Sequence, residues 1–122
     1  MWHSASENKL TAANTRRLAI AVADDGQTIP RGMLGRAAAF LIVDLDREGR
    51  EIARQLRANP YQNTAQHGKT FDVADLLADC QTLISRRIGR AGVPRMEARG
   101  FELIFTEQEN AETALEEYRR AL

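Results

Sequence analysis

The chain has 122 residues, 43% of them hydrophobic and 28% charged, with 17 basic and 17 acidic side chains. That length suffices for one domain with its own core, without disulfide or metal staples. A formal net charge of zero argues against a protein that grips nucleic acid by neutralising phosphates, and a single cysteine, Cys80, excludes an internal disulfide and suits a reducing compartment.

Residues 1–16 are mostly polar and aperiodic, with Ser4, Ser6, Glu7, Asn8 and Lys9, and read as a flexible tail. They carry no apolar core like that of a signal peptide. No later run approaches the roughly 20 apolar residues of a membrane helix. The expected setting is cytoplasmic, with neither membrane nor nucleic acid as partner. Residues 17–122 read as one domain.

Leu18-Ala19-Ile20-Ala21-Val22-Ala23 is continuously apolar and stops at the turn signal Asp24-Asp25-Gly26. That pattern predicts a strand buried on both faces. Gly26, Pro30, Gly32 and Gly35 punctuate a long loop running to about Arg36, which favours shaped, irregular backbone. Ala39 to Leu45 is the second strand. Asp46-Arg47-Glu48-Gly49 is a tight turn, and Arg50 to Arg57 returns as the third strand, with Ile52 and Leu56 on one face. This strand is polar and lacks aromatic residues, as an edge strand does. Asn59-Pro60-Tyr61-Gln62-Asn63 closes it.

A central helix is expected from Thr70, which can cap its N-terminus, with Asp72 in the first turn. Val73, Leu76, Leu77 and Cys80 fall at i, i+3, i+4 and i+7 and form its apolar face. Gln81 to Ser85 is the fourth strand, followed by a glycine-rich turn from Ile88 to Gly92. Pro94 suits the first turn of a short helix that ends at Gly100. Phe101 to Phe105 is the fifth strand. Thr106 and Glu109 form a capping-box pattern before the last helix, whose apolar stripe is Ala111, Ala114, Leu115, Tyr118 and Leu122. The order β-β-β-α-β-α-β-α predicts an α/β domain with a mixed five-stranded sheet. Parallel pairing is expected in its second half.

Several residue groups carry possible chemistry. Gly68-Lys69-Thr70 looks like the end of a phosphate-binding loop, but the position five before Gly68 is Asn63, not glycine. Without the full glycine loop the motif's mechanics fail, and only anion binding at a helix N-terminus is left. Cys80 reads either as a small core residue or as a thiolate ligand. With no second cysteine, a four-thiolate cluster within one chain is excluded. His67, just before the helix, reads as a capping or exposed histidine or as an imidazole ligand. Met33 packs beneath its loop or offers a soft thioether. Asp24, Asp44 and Asp72 show no spacing that would make them converge as a two-metal site.

The order of these short motifs resembles that of a known family. Leu18 to Ala23, Asp25-Gly26, Leu34-Gly35-Arg36-Ala37 and Phe40-Leu41-Ile42-Val43 are similar to the opening of the nitrogenase iron-molybdenum cofactor biosynthesis domains. These are the NifX-like proteins and the domain that closes some NifB proteins. The likeness continues through Asn59-Pro60, His67-Gly68, Leu76-Leu77-Ala78-Asp79-Cys80 and Arg99-Gly100-Phe101-Glu102.

The resemblance implies a ribonuclease H-like fold with helices flanking the mixed sheet. It implies a non-enzymatic protein that binds, carries or stores an iron-sulfur or iron-molybdenum cluster precursor, with nitrogenase assembly proteins as partners. Family members often carry histidine-phenylalanine-glycine in the first long loop, with that histidine as the expected ligand. Here the same positions are Met33-Leu34-Gly35, so methionine would stand in as the soft ligand. The cofactor-binding residues expected on this basis are Met33, Gly35, Arg36, His67, Lys69 and Cys80, with Arg36 and Lys69 offsetting cluster charge. The alternative is an interaction or regulatory module that keeps the fold without the cofactor.

Overall fold

The computed structural model describes residues 15–65 and 68–122. Their elements are β1 (Thr15–Val22), β2 (Ala39–Asp46), β3 (Glu51–Ala58), α1 (Lys69–Leu76), β4 (Thr82–Ser85), α2 (Gly92–Ala98), β5 (Glu102–Phe105) and α3 (Ala111–Arg120), with a single 3-10 turn at Leu34–Arg36. This is the expected order. Of the tail expected over residues 1–16, residues 1–14 lie outside the described residues, as does the histidine at 67, whereas Thr15 and Arg16 belong to β1.

The five strands form one sheet in the order β3-β2-β1-β4-β5. β1 pairs antiparallel with β2 from Thr15↔Asp46 to Val22↔Ala39, and β2 pairs antiparallel with β3. β4 joins the other side of β1 in parallel, and β5 joins β4 in parallel. β1 is thus central, which is why it is apolar on both faces. β3 is an edge, as its polarity predicts, and Ile52 and Leu56 are exposed on it.

Each face of the sheet has its own core. On one, Leu18, Ile20 and Val22 of β1 and Leu41, Val43 and Leu45 of β2 pack against Ala111, Ala114, Leu115 and Tyr118 of α3. On the other, Ala19, Ala21, Phe40 and Ile42 meet Val73, Ala74 and Leu77 near α1 and Met96 of α2. Small alanines on β1 let the two helices of this face approach closely. Full burial of side chains such as Phe40, Ile42 and Leu77 stabilises the fold by about 1.5–3 kcal/mol each.

Several boundaries differ from the sequence reading. β1 begins at Thr15, three residues before Leu18, because its first residues are held by neighbours. Arg16 Nη1 donates to Thr82 Oγ1 at 3.3 Å, and Arg17 is paired with Asp44 across the strands. Thr70 does not cap α1; Gly68 occupies the N-cap position in the left-handed region (φ 79°), with no side-chain cap. α1 stops at Leu76, so Cys80 lies past the helix, although it remains buried.

The expected capping box of α3 is also absent. Asn110 is the cap, its side-chain oxygen accepting from the backbone N–H groups of Glu112 (2.8 Å) and Thr113 (3.3 Å). Thr106 accepts instead from the Gln108 N–H. The asparagine wins because it immediately precedes the first buried residue of the stripe, Ala111. Asn110→Ala is therefore expected to destabilise the protein by about 1 kcal/mol in denaturant unfolding, through loss of two cap bonds. Leu122, placed on the stripe by periodicity, is exposed because the helix ends at Arg120.

Among the described residues no helix is long and apolar enough to cross a membrane.

Candidate functional site

The long loop after β1 and the N-terminal end of α1 meet at the same end of the sheet. Three sets of contacts hold them there. The loop is fixed to the segment that follows β4 by an isolated parallel bridge between Met33 and Arg87, with the Leu34 N–H donating to the Arg87 carbonyl at 2.9 Å. The 3-10 turn is fixed from the other side by Asn59. Its buried amide nitrogen donates to the carbonyls of Gly35 (3.0 Å) and Ala37 (2.9 Å), while its oxygen accepts from the Tyr61 N–H. α2 is drawn against α1 at Gly92, where a β-carbon would stand 3.3 Å from Ile88 Cγ2 and 3.5 Å from Thr70 Oγ1.

Between these elements lies a pocket of about 390 Å³. Its floor is apolar, from Leu34, Val73, Ile88 and Met96, and its lip carries Met33, Gly35, Arg36 and Lys69, together with Thr64, Ala65, Thr70 and Gly89. Met33 is 37% exposed. Its sulfur lies against Gly89, where a β-carbon would come within 4.0 Å of it. A β-carbon at Gly35 would stand 3.3 Å from Lys69 Cε, so the bare glycine leaves room for the lysine stem to cross the loop.

Lys69 Nζ donates to the Thr64 carbonyl at 2.9 Å and to the Gln62 carbonyl at 3.5 Å. Burial pushes its ammonium below the ordinary lysine range, and the nearby Arg36 guanidinium pushes it further the same way. Among the described residues neither cation closes an ion pair. Two like charges beside one apolar cavity, without a carboxylate between them, form a local excess of positive potential. An anion bound there would relieve that repulsion.

The structure therefore brings together four of the six residues expected from sequence: Met33, Gly35, Arg36 and Lys69. His67 lies outside the described residues. Cys80 does not line the pocket; it packs in the core of the α1–α2 face with Ala19, Phe40 and Leu77. Burial, reinforced by the Asp79 carboxylate, pushes its thiol up to about 12. At neutral pH the sulfur is a thiol, which is a poor metal ligand. Of the three aspartates set aside as a metal cluster, Asp44 is bound to Arg17, and Asp72 lies in the first turn of α1. Among the described residues no group of three or more His, Cys, Asp and Glu is placed to hold a metal ion.

Sequence reasoning missed Asn59 as the fastener of the 3-10 turn, although its place before Pro60 marked it as a turn residue. It also missed Met96 and Ile88 as pocket floor. Both sit in a helix or turn whose packing partner is set only by the parallel crossover.

The family described as dinitrogenase iron-molybdenum cofactor matches the chain over residues 16–121. No curated protein sequence matches it. Solved structures share the fold at low identity. The protein PH0822 has a TM-score of 0.72 and 17% identity, over 86% of this chain and 91% of that one. The apo form of the orange protein from Desulfovibrio gigas has a TM-score of 0.70 and 21% identity, over 87% and 88%. A NifB-like protein from Thermotoga has a TM-score of 0.67 and 20% identity, over 86% and 88%.

Proposed function

Because the chain belongs to the dinitrogenase iron-molybdenum cofactor family, we propose that it binds and carries a metal–sulfur cofactor precursor, iron-sulfur or iron-molybdenum, for nitrogenase assembly proteins in the cytoplasm. The observation that carries this reading is the pocket itself. Arg36 and Lys69 stand, among the described residues, without an ion-pair partner at the mouth of an apolar cavity that also presents the Met33 and Met96 thioethers. A compact anion with a soft, polarisable sulfide surface meets both halves of that lining: charge at the lip and thioether and hydrocarbon below. The described residues offer neither thiolate nor imidazole there, so cargo that arrives with its own sulfide ligands suits the pocket best. The role is one of binding and release rather than catalysis. The ribonuclease H-like assignment belongs to the same reading, and the 3-2-1-4-5 strand order with its antiparallel first hairpin supports it.

Within this reading Met33 and Gly35 shape the lip, Arg36 and Lys69 hold the charge, and Cys80 serves the core. Incubation of the chain with thiomolybdate, ferrous iron and sulfide under anaerobic conditions, followed by desalting, is expected to leave visible charge-transfer absorbance on the protein. Met33→Leu keeps the volume and removes the thioether, and is expected to weaken retention by about threefold to tenfold. Protein that emerges colourless and free of metal would overturn the carrier reading. Loss of the loop histidine in favour of Met33 supports the alternative, a cofactor-free interaction module, which predicts that colourless result.

A further inference from the structure

The arginines of this chain fall into two populations. Across the hairpin, the central strand and the last helix they are paired: Arg17, Arg50, Arg54, Arg57 and Arg119 each close an ion pair with Asp or Glu. Around the pocket mouth most are not, Arg99 with its partner Asp75 being the exception. Between residues 86 and 99 the sequence holds five arginines and one acid, Glu97. Among the described residues Arg31, Arg36, Arg87, Arg90 and Arg95 close no ion pair, and all five are exposed.

These residues lie on the segments that frame one opening. Arg36 lines the pocket, Arg31 lies two residues before Met33, and Arg87 is bridged to Met33. Arg90 sits between Gly89 at the pocket lip and Gly92 against α1. Beside them Phe71, 40% exposed on α1, has the guanidinium groups of Arg95 and Arg99 over its ring at 5.3 and 5.2 Å. Only Arg99 of that pair has an acidic partner, Asp75.

We propose that this arginine rim, with Phe71 as its apolar anchor, is the docking surface for a carboxylate-rich face of another protein, which covers the pocket mouth when it binds. Clustered arginine and aromatic side chains form the energetic centre of protein interfaces, and guanidinium groups match carboxylates in bidentate geometry. A chain that pairs its arginines elsewhere leaves these ones for a partner to complete. Nucleic acid fits less well. The chain is neutral overall, and the last helix presents acids on the opposite layer of the sheet. The proposal rests on the carrier reading only for naming the partner as giver or receiver of cargo; the surface itself sets the chemistry.

The test uses the full chain without cargo, so that it stands or falls separately from cluster uptake. A fluorescent peptide of Glu and Leu residues, titrated at about 50 mM salt, where screening is modest, is expected to bind. The same peptide with Gln in place of Glu is not. Arg90→Gln with Arg95→Gln is expected to weaken binding by about tenfold, and Phe71→Ser by a similar factor, whereas Arg50→Gln changes it by less than about twofold. Thermal melting of each variant separates loss of binding from loss of fold. Bound peptide is expected to slow peroxide oxidation of Met33, read by peptide mapping. No binding by the Glu peptide, or equal loss in Arg50→Gln, overturns the proposal. So does tighter binding to oligothymidylate or to phosphatidylserine vesicles than to the peptide. Unchanged Met33 oxidation overturns its covering of the mouth.

Discussion

Reversing both charges at the pocket lip, Arg36→Glu with Lys69→Glu, is expected to lower affinity for an anionic metal–sulfide cargo by at least about a hundredfold. Each charge-assisted bond to the cargo is worth about 1.4 kcal/mol, tenfold in affinity, and the reversal adds repulsion. The stability of the fold is expected to change little by comparison. Among the described residues no carboxylate depends on either side chain, and Arg36 already disfavours the charge on Lys69. Removing the two cations therefore removes a repulsion along with the Lys69 bonds to Thr64 and Gln62. Anaerobic titration of metal and sulfide onto wild-type and variant protein, with thermal melts alongside, checks both halves. Undiminished uptake by the reversed variant would remove this pocket as the cargo site. A uniform collapse in melting temperature would show that the pair is structural.

That separation between site and scaffold also marks what the sequence could disclose. β1 and β2 were legible because burial on both faces leaves an unbroken apolar run, and the turn signals that bound it keep the run at strand length. The hairpin was legible from Asp46 and Gly49, and the structure shows why. Asp46 accepts from the N–H groups of Glu48 and Arg50, and Gly49 has φ 84°. Helix ends were less legible. Thr106 and Glu109 match the capping pattern as well as Asn110 does, and only the position of Ala111 in the core decides between them. Cys80 was placed on the helical face because the spacing fits. It is buried for a different reason, since the chain turns past Leu77 and is held by the Cys80 N–H donating to the Leu77 carbonyl at 2.9 Å. The lip of the site was visible as residue types in one loop and one helix start. Its floor was not, because Met96 and Ile88 reach it through the parallel crossover between β4 and β5, which local sequence does not encode.

The carboxylate of Asp79 holds the scaffold beneath the site, and Asp79→Asn is expected to destabilise the protein by about 1–2 kcal/mol at neutral pH. The figure is kept low because the side chain is 43% exposed and water screens its pairs. Arg57 donates to both oxygens of Asp79 at 2.8 and 2.9 Å and to the Leu76 carbonyl at 3.0 Å, capping the end of α1. Arg17 donates to Asp79 at 2.7 Å and, through its other nitrogens, to both oxygens of Asp44. One carboxylate thereby ties β1, β2 and β3 to the end of the helix whose beginning carries Lys69. The Arg57 bonds, seconded by those of Arg17, hold the Asp79 carboxyl well below the usual carboxylate range.

A depressed value in the folded state fixes the sign of the pH dependence. The stabilisation is complete above the unfolded carboxylate value of 3.8, and it is lost as pH falls from there toward the folded value. The gap between wild type and Asp79→Asn in urea unfolding is therefore expected to be full at pH 7, nearly full at pH 5, and to shrink below about pH 4. The variant cannot titrate at this position, so the wild type approaches it from above as acid is added. A gap that stays constant down to pH 3 would mean that Asp79 acts through packing alone. It would also detach the strand-to-helix tie from the electrostatics that join it to the pocket-bearing helix.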